Sequence, residues 1–148
     1  MSFVIVRDDR EKRGFDFSAY PNEVEIQRLE TGDYTIQKYE DVFAVERKSI
    51  PDLVYTTTWG RERFEAELKR AQELAKFCVV IEGYPPDVES YINSSGRKVH
   101  QNAIYVSVES WESYNHIDFL WCGSHSNAEY QTYHKLQKWY GEAVLNFF

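Results

Sequence analysis

Two carboxylates and an ammonium carry the chemistry this sequence could do. Asp33 stands in the tight turn Thr31-Gly32-Asp33-Tyr34, and Glu46 and Lys48 flank Arg47 at the end of an apolar run, Val42-Phe43-Ala44-Val45. Side chains alternate faces along a strand, so Glu46 and Lys48 point one way and Arg47 the other. If 34–39 and 41–48 form a hairpin joined near Glu40-Asp41, antiparallel pairing sets residues 33–34 beside residues 46–48. Asp52 lies one short turn past Lys48, and Asp8 ends the first strand, from which it joins the cluster if that strand is a neighbour. Converged carboxylates repel unless a cation sits among them, and hard oxygen ligands select Mg²⁺ or Mn²⁺. A divalent ion can grip a phosphate oxygen and lower the pKa of a bound water. Lys48 could hold or deprotonate that water, or stabilise charge growing on phosphorus. This is the chemistry of phosphodiester hydrolysis. The same residues could equally form a structural charge cluster. A second carboxylate-x-Lys, Glu67-x-Lys69, flanks Leu68 in a helical stretch and reads as solvated helix surface.

Positioning these groups requires a sheet with a buried strand beneath residue 46. Residues 3–7 read as a buried strand, 8–22 as a loop and 24–29 as a strand. Pro51 suits the start of a short helix in Ile50–Thr57. Residues 60–77 make the clearest helix, with Phe64, Leu68, Ala71 and Ala75 at helical spacing. Residues 78–83 are a continuous apolar run, the pattern of a strand buried on both faces. The stretch YPPDVESYINSSGRK reads as a loop with at most one helical turn, and 101–114 favours helix over strand for its length. Residues 117–122 read as a strand, and the capping-box spacing of Ser126 and Glu129 opens a last helix with Tyr133, Leu136, Tyr140, Ala143 and Phe147 on one stripe. Strands and helices alternate without a linker or repeat, so a single α/β domain over 1–148 with a mixed sheet is expected.

Composition narrows the partners. The chain has 148 residues, 16% of them aromatic, and a net charge of −7. A protein that held duplex DNA by bulk charge should be basic. A nucleic-acid substrate would therefore need local basic patches or a metal. The cysteines, Cys78 and Cys122, and the four histidines at 100, 116, 125 and 134 lack metal spacing. The N-terminus meets charge too soon for a signal peptide, and no run approaches the roughly 20 apolar residues of a membrane span. A cytoplasmic protein, with no signal peptide and no membrane, is the expectation.

Gly32-Asp33, Glu46-Arg47-Lys48 and Asp52 fit G-D-x(n)-E-R-K-x(3)-D without a gap. This resembles the signature of the XPF/ERCC4-type nuclease domain. The opening strand is similar too, with Asp8, Arg10 and Glu11 in place of that family's D-x-R-E, as is the Arg-headed helix running to Ile81-Glu82-Gly83. The likeness is close over residues 3–83 and looser over 84–148. It implies a restriction-endonuclease-like core, a central mixed sheet flanked by helices. It implies Mg²⁺- or Mn²⁺-dependent cleavage of DNA, typically at branched, flap or fork structures. By this resemblance Asp33 and Glu46 ligate the metal and Lys48 serves the nucleophilic water. Asp8, Arg10, Glu11, Arg47 and Asp52 complete the site, with Asp8 a further candidate ligand. Two features depart from the family. No tandem helix-hairpin-helix pattern follows residue 83, and Arg63-Phe64-Glu65-Ala66-Glu67 stands where Arg-hydrophobic-x-x-Gln is common. Grip on DNA could then come from a homodimer or a recruiting partner.

Candidate DNA contacts lie around this core. Arg61, Arg63, Lys69 and Arg70 cluster on one helix, Arg97 and Lys98 sit in a loop, and Trp59 follows a Thr-rich loop beside the site, where it could stack on an unpaired base. Other readings of the same residues are a catalytically inactive scaffold that binds DNA or protein, and a nuclease acting on RNA or linear DNA.

Overall fold

The structure, a computed structural model, describes residues 2–148. Six strands form one mixed sheet: β1 (Ile5–Asp8), β2 (Val24–Gln27), β3 (Tyr34–Ile36), β4 (Phe43–Ser49), β5 (Lys76–Glu82) and β6 (Asp118–Trp121), in the order β2-β1-β3-β4-β5-β6. β3 runs antiparallel to β1 and β4, whereas β4, β5 and β6 are mutually parallel. Parallel neighbours need crossovers. Helices α1 (Ile50–Thr57) and α2 (Arg61–Ala71) connect β4 to β5, and α3 (Pro85–Ser95) and α4 (Gln101–Asn115) connect β5 to β6. All four pack on one face, burying Leu53, Phe64, Leu68, Val88, Ile104 and Trp111 against Ala44, Val79 and Ile81. The last helix, α5 (His125–Val144), covers the other face, where Tyr133, Leu136 and Trp139 meet Phe43, Val45, Cys78 and Val80. The expected mixed sheet flanked by helices is what the chain builds. Among the described residues no helix is long and apolar enough to cross a membrane.

Several local expectations change. Residues 85–95 are a full helix, not a loop: Pro85 and Pro86 occupy its first turn, where a missing N–H costs nothing. The Asp87 carboxylate accepts from the Tyr84 N–H at 2.7 Å, and Gly96 ends the helix at φ +70°. The last helix starts at His125, capped by Ser124, whose hydroxyl accepts from the Asn127 N–H at 3.0 Å. Ser126 and Glu129 therefore lie inside it, and Glu129 caps the Phe17 N–H instead, at 3.0 Å. Phe147 falls beyond its end and is exposed. The clearest helix stops at Ala71, so Ala75 is exposed outside it. β3 ends at Ile36, because Lys38 takes φ +79° and residues 37–42 form a broad turn.

Candidate active site

β4 sorts the charged residues by face. Ala44 belongs to the core under α1–α4, and Phe43 and Val45 to the core under α5. Past Val45 the same alternation sends Glu46 and Lys48 toward α1 and α2, and Arg47 toward α5. Across the sheet, Tyr34 pairs with Val45, so Asp33 falls beside Glu46. Gly32 makes this approach close: it sits at φ +79°, and a Cβ there would lie 2.7 Å from that of Ala44. The Asp33 N–H donates to the Val45 carbonyl at 2.8 Å, and its Oδ2 accepts from the Arg47 N–H at 2.8 Å. Asp33 thus straddles Glu46, and the charge of Asp33 bears directly on the Glu46 carboxyl.

Glu46 is 6% exposed, and its Oε1 is buried with no hydrogen-bond partner. Its Oε2 lies 3.4 Å from Lys48 Nζ, which stands 4.6 Å from the centre of the Phe64 ring. Burial, then the charges of Asp33 and Glu67, push the Glu46 carboxyl well above its ordinary range. Burial, then the charge of Glu11, pushes Asp33 up to about 7. Both shifts favour the protonated form over a pair of adjacent charges, and a cation between the two acids would offset them. Asp33 borders a cleft of about 490 Å³ with Lys48, Asp52, Arg63 and Glu67 in the same wall, and Glu46 reaches that wall through its contact with Lys48.

The opposite face holds the strand tip in place. Arg47 Nε donates to Glu11 Oε2 at 2.8 Å, and its Nη1 donates to Glu82. Tyr34 donates to Glu11 Oε2 and accepts from the Phe15 N–H, both at 2.8 Å, while Glu82 also contacts His125. Burial opposes the Arg47 charge, but the bonds to Glu11 and Glu82 outweigh it and hold the guanidinium firmly protonated. Asp8 is 2% exposed. Its Oδ1 accepts from the Leu29 N–H at 2.8 Å and from Arg10 Nη2 at 3.1 Å; its Oδ2 accepts from Arg10 N and Nε. Burial works against ionisation there, yet these bonds hold the Asp8 carboxyl below its usual range. Asp8 borders the cleft with both oxygens engaged by the chain itself. Asp52 is exposed in the first turn of α1, its N–H bonded to the Ser49 hydroxyl at 3.2 Å.

The basic candidates separate. Arg63 faces the cleft, and Arg70 borders both it and an adjoining groove. Arg61 is anchored elsewhere: Nη1 donates to Ser107 Oγ at 2.8 Å, and the guanidinium lies 5.1 Å from the centre of the Trp111 ring. Lys69 is exposed outside the cleft wall, and Arg97 and Lys98 border a separate shallow depression with Ile92 and His100. Trp59 is 83% exposed in the α1–α2 turn, which is fixed by the Thr58 and Gly60 N–H groups donating to the Tyr55 carbonyl. Trp111 is core. Glu67 corrects the sequence reading. It is half-buried and turned to the cleft, where its Oε2 accepts from the Gly32 N–H at 3.3 Å. The available signal was that Glu67 stands where the resembled family's helix commonly carries Gln after its Arg-hydrophobic pair. Glu82 and His125 could not be foreseen, because their roles depend on strand order.

The donor set suits a hard divalent ion. Glu46 Oε1 is buried without a hydrogen-bond partner, and burial together with mutual repulsion raises both the Asp33 and the Glu46 carboxyl, a cost that a cation between them would offset. Among the described residues no group of three or more His, Cys, Asp or Glu side chains is placed to enclose a metal. Such a site fits an ion that keeps several waters, as Mg²⁺ does.

Comparison with known proteins bears on the fold and the family. No curated protein matches the chain. Among solved structures, XPF from Aeropyrum pernix superposes with a TM-score of 0.60 at 19% identity, over 87% of this chain and 61% of that one. The structure of XPF from Aeropyrum pernix in complex with DNA gives 0.63 at 19% identity, over 92% and 66%. The chain thus spans less than two thirds of the length of these relatives, and the likeness establishes the restriction-endonuclease-like fold. The profile of the ERCC4 domain matches residues 7–133, and the chain therefore belongs to the ERCC4 domain family, a family of DNA nucleases.

Proposed function

We propose that the chain is an endonuclease that hydrolyses DNA phosphodiester bonds with Mg²⁺ or Mn²⁺ held by Asp33 and Glu46. Branched, flap or fork DNA is the substrate in this reading, and residues 1–148 act as one nuclease unit. The observation that carries it is the pair of Asp33 and Glu46 set side by side on neighbouring strands, with an unused buried oxygen on Glu46 and Lys48 Nζ 3.4 Å from it. When bound, the ion supplies Lewis-acid polarisation of a phosphate oxygen and an acidified water. Lys48, backed by the Phe64 ring, aims its ammonium where an attacking water and the developing negative charge would meet. Arg47, Glu11, Glu82 and Tyr34 lock the strand tip from behind, so that Glu46 and Lys48 cannot drift apart. Asp8 fixes Arg10, which with Arg63 and Arg70 lines the cleft with cations suited to phosphates. Asp52 stands at the cleft wall as a further acid toward the substrate side. These local cations are what a chain of net charge −7 needs to hold DNA. Trp59, exposed on a hydrogen-bonded turn, suits stacking on an unpaired base, worth roughly 1–3 kcal/mol per base, which favours a junction over plain duplex. Arg61, Lys69, Arg97 and Lys98 contribute at most long-range attraction.

The test is a substrate panel of flap, fork, linear duplex and single-stranded DNA, plus RNA, each with Mg²⁺, Mn²⁺ or EDTA. Nicks near the junction of fork or flap DNA, requiring metal, are the expected result. DNA bound at micromolar protein but left uncut would make the chain a scaffold. Equal cutting of RNA or linear duplex would remove the junction preference.

A further inference from the structure

Glu67 is an acid of the cleft that the proposed chemistry leaves without a role. Its carboxylate reaches the site from α2 and touches the chain at Gly32, through a long 3.3 Å hydrogen bond from the N–H next to Asp33. Among the described residues it has no ion pair, although Arg63 and Arg70 stand on the same helix and in the same cleft wall. Its charge is felt by both Asp33 and Glu46. A third carboxylate directed at two others is unfavourable unless a cation belongs among them. An independent observation points the same way: Glu46, 6% exposed, leaves Oε1 buried and unpartnered beside this group.

We propose that Glu67 is a third acidic partner of the divalent ion, acting through a water of the ion's hydration shell, and that it sets the affinity of this chain for the ion. The proposal rests on the reading of Asp33 and Glu46 as ligands. Contact through water is the form consistent with Asp33, Glu46 and Glu67 not being grouped, among the described residues, to hold an ion directly, because Mg²⁺-type ions retain waters that carboxylates outside the coordination sphere can bind. The rival role for Glu67 is structural, as an anchor for the Gly32 turn. Glu67→Gln separates the two, because a glutamine oxygen accepts from the Gly32 N–H equally well but carries no charge.

The experiment is Mn²⁺ binding to the full chain without DNA, followed by titration calorimetry, for wild type, Glu67→Gln and Asp33→Asn. The expected result is an affinity weakened roughly 10–100-fold in Glu67→Gln, with circular dichroism unchanged and binding lost in Asp33→Asn. Excess Mn²⁺ should then restore cleavage to Glu67→Gln but not to Asp33→Asn. Equal affinity in wild type and Glu67→Gln overturns the proposal and leaves the nuclease reading standing. A wild-type protein that binds no Mn²⁺ overturns both.

Discussion

Lys48→Ala and Asp33→Asn are each expected to lower metal-dependent DNA cleavage by roughly 10²–10⁴-fold, with the far-ultraviolet circular dichroism spectrum unchanged. Lys48 makes no bond on which the fold depends: its ammonium lies against Glu46 and the Phe64 ring and faces the cleft. Truncation removes a positive charge from the place where negative charge develops. Asp33→Asn keeps the shape and an oxygen able to accept from the Arg47 N–H, but it removes one of the two anionic oxygen donors proposed for the ion. The two losses differ in kind. Raising Mn²⁺ should not rescue Lys48→Ala, whose ion site is intact, and DNA binding by that variant should persist. Wild-type rates in both variants would remove the catalyst from this end of β4.

The second large effect is on stability. The Asp33 carboxyl is pushed up to about 7, and Glu46 higher than its ordinary value, so the folded metal-free protein holds protons that the unfolded chain has released. A group with a raised folded pKa contributes stability that is present below its unfolded pKa and is lost as pH rises through its folded pKa. In EDTA, stability should therefore fall between about pH 5 and 8, by on the order of 2–3 kcal/mol for one proton held over that range, or roughly 4–12 °C in Tm. Saturating Mg²⁺ or Mn²⁺ should remove most of the fall. Asp33→Asn should melt above wild type in EDTA at pH 8, since an amide has no charge to bury. Thermal melts across pH check this. A profile in EDTA that rises from pH 5 to 8, unmoved by metal, would mean that the carboxyls are not buried together.

How far the site was legible depends on the range of the interactions that make it. The alternation along Phe43–Ser49 is local, and it correctly set Glu46 and Lys48 on the face opposite Arg47. The Gly32-Asp33 pair was legible because a tight turn before a strand needs a residue tolerant of positive φ, and pairing with β4 followed. What escaped was decided by packing between distant segments. Arg47 finds Glu82 only because β4 and β5 are parallel neighbours in register. Glu67 looked like surface because the pattern of α2 shows which side is apolar, not that the Gly32 turn approaches its flank. Arg61 looked like a phosphate contact until α4 supplied Ser107 and Trp111. Residues 85–95 looked like a loop because two prolines outweighed the helical spacing of Val88 and Ile92, although proline in a first turn starts a helix.

The claim beneath all of this is that Asp33 and Glu46 give up a shared proton to a divalent ion. Calorimetric Mn²⁺ titration near pH 7.5, in two buffers of different ionisation enthalpy, reports ion and proton together. The account predicts roughly one Mn²⁺ per chain with release of about one proton, both abolished in Asp33→Asn and Glu46→Gln. Binding that releases no proton, or that survives both substitutions unchanged, would contradict it.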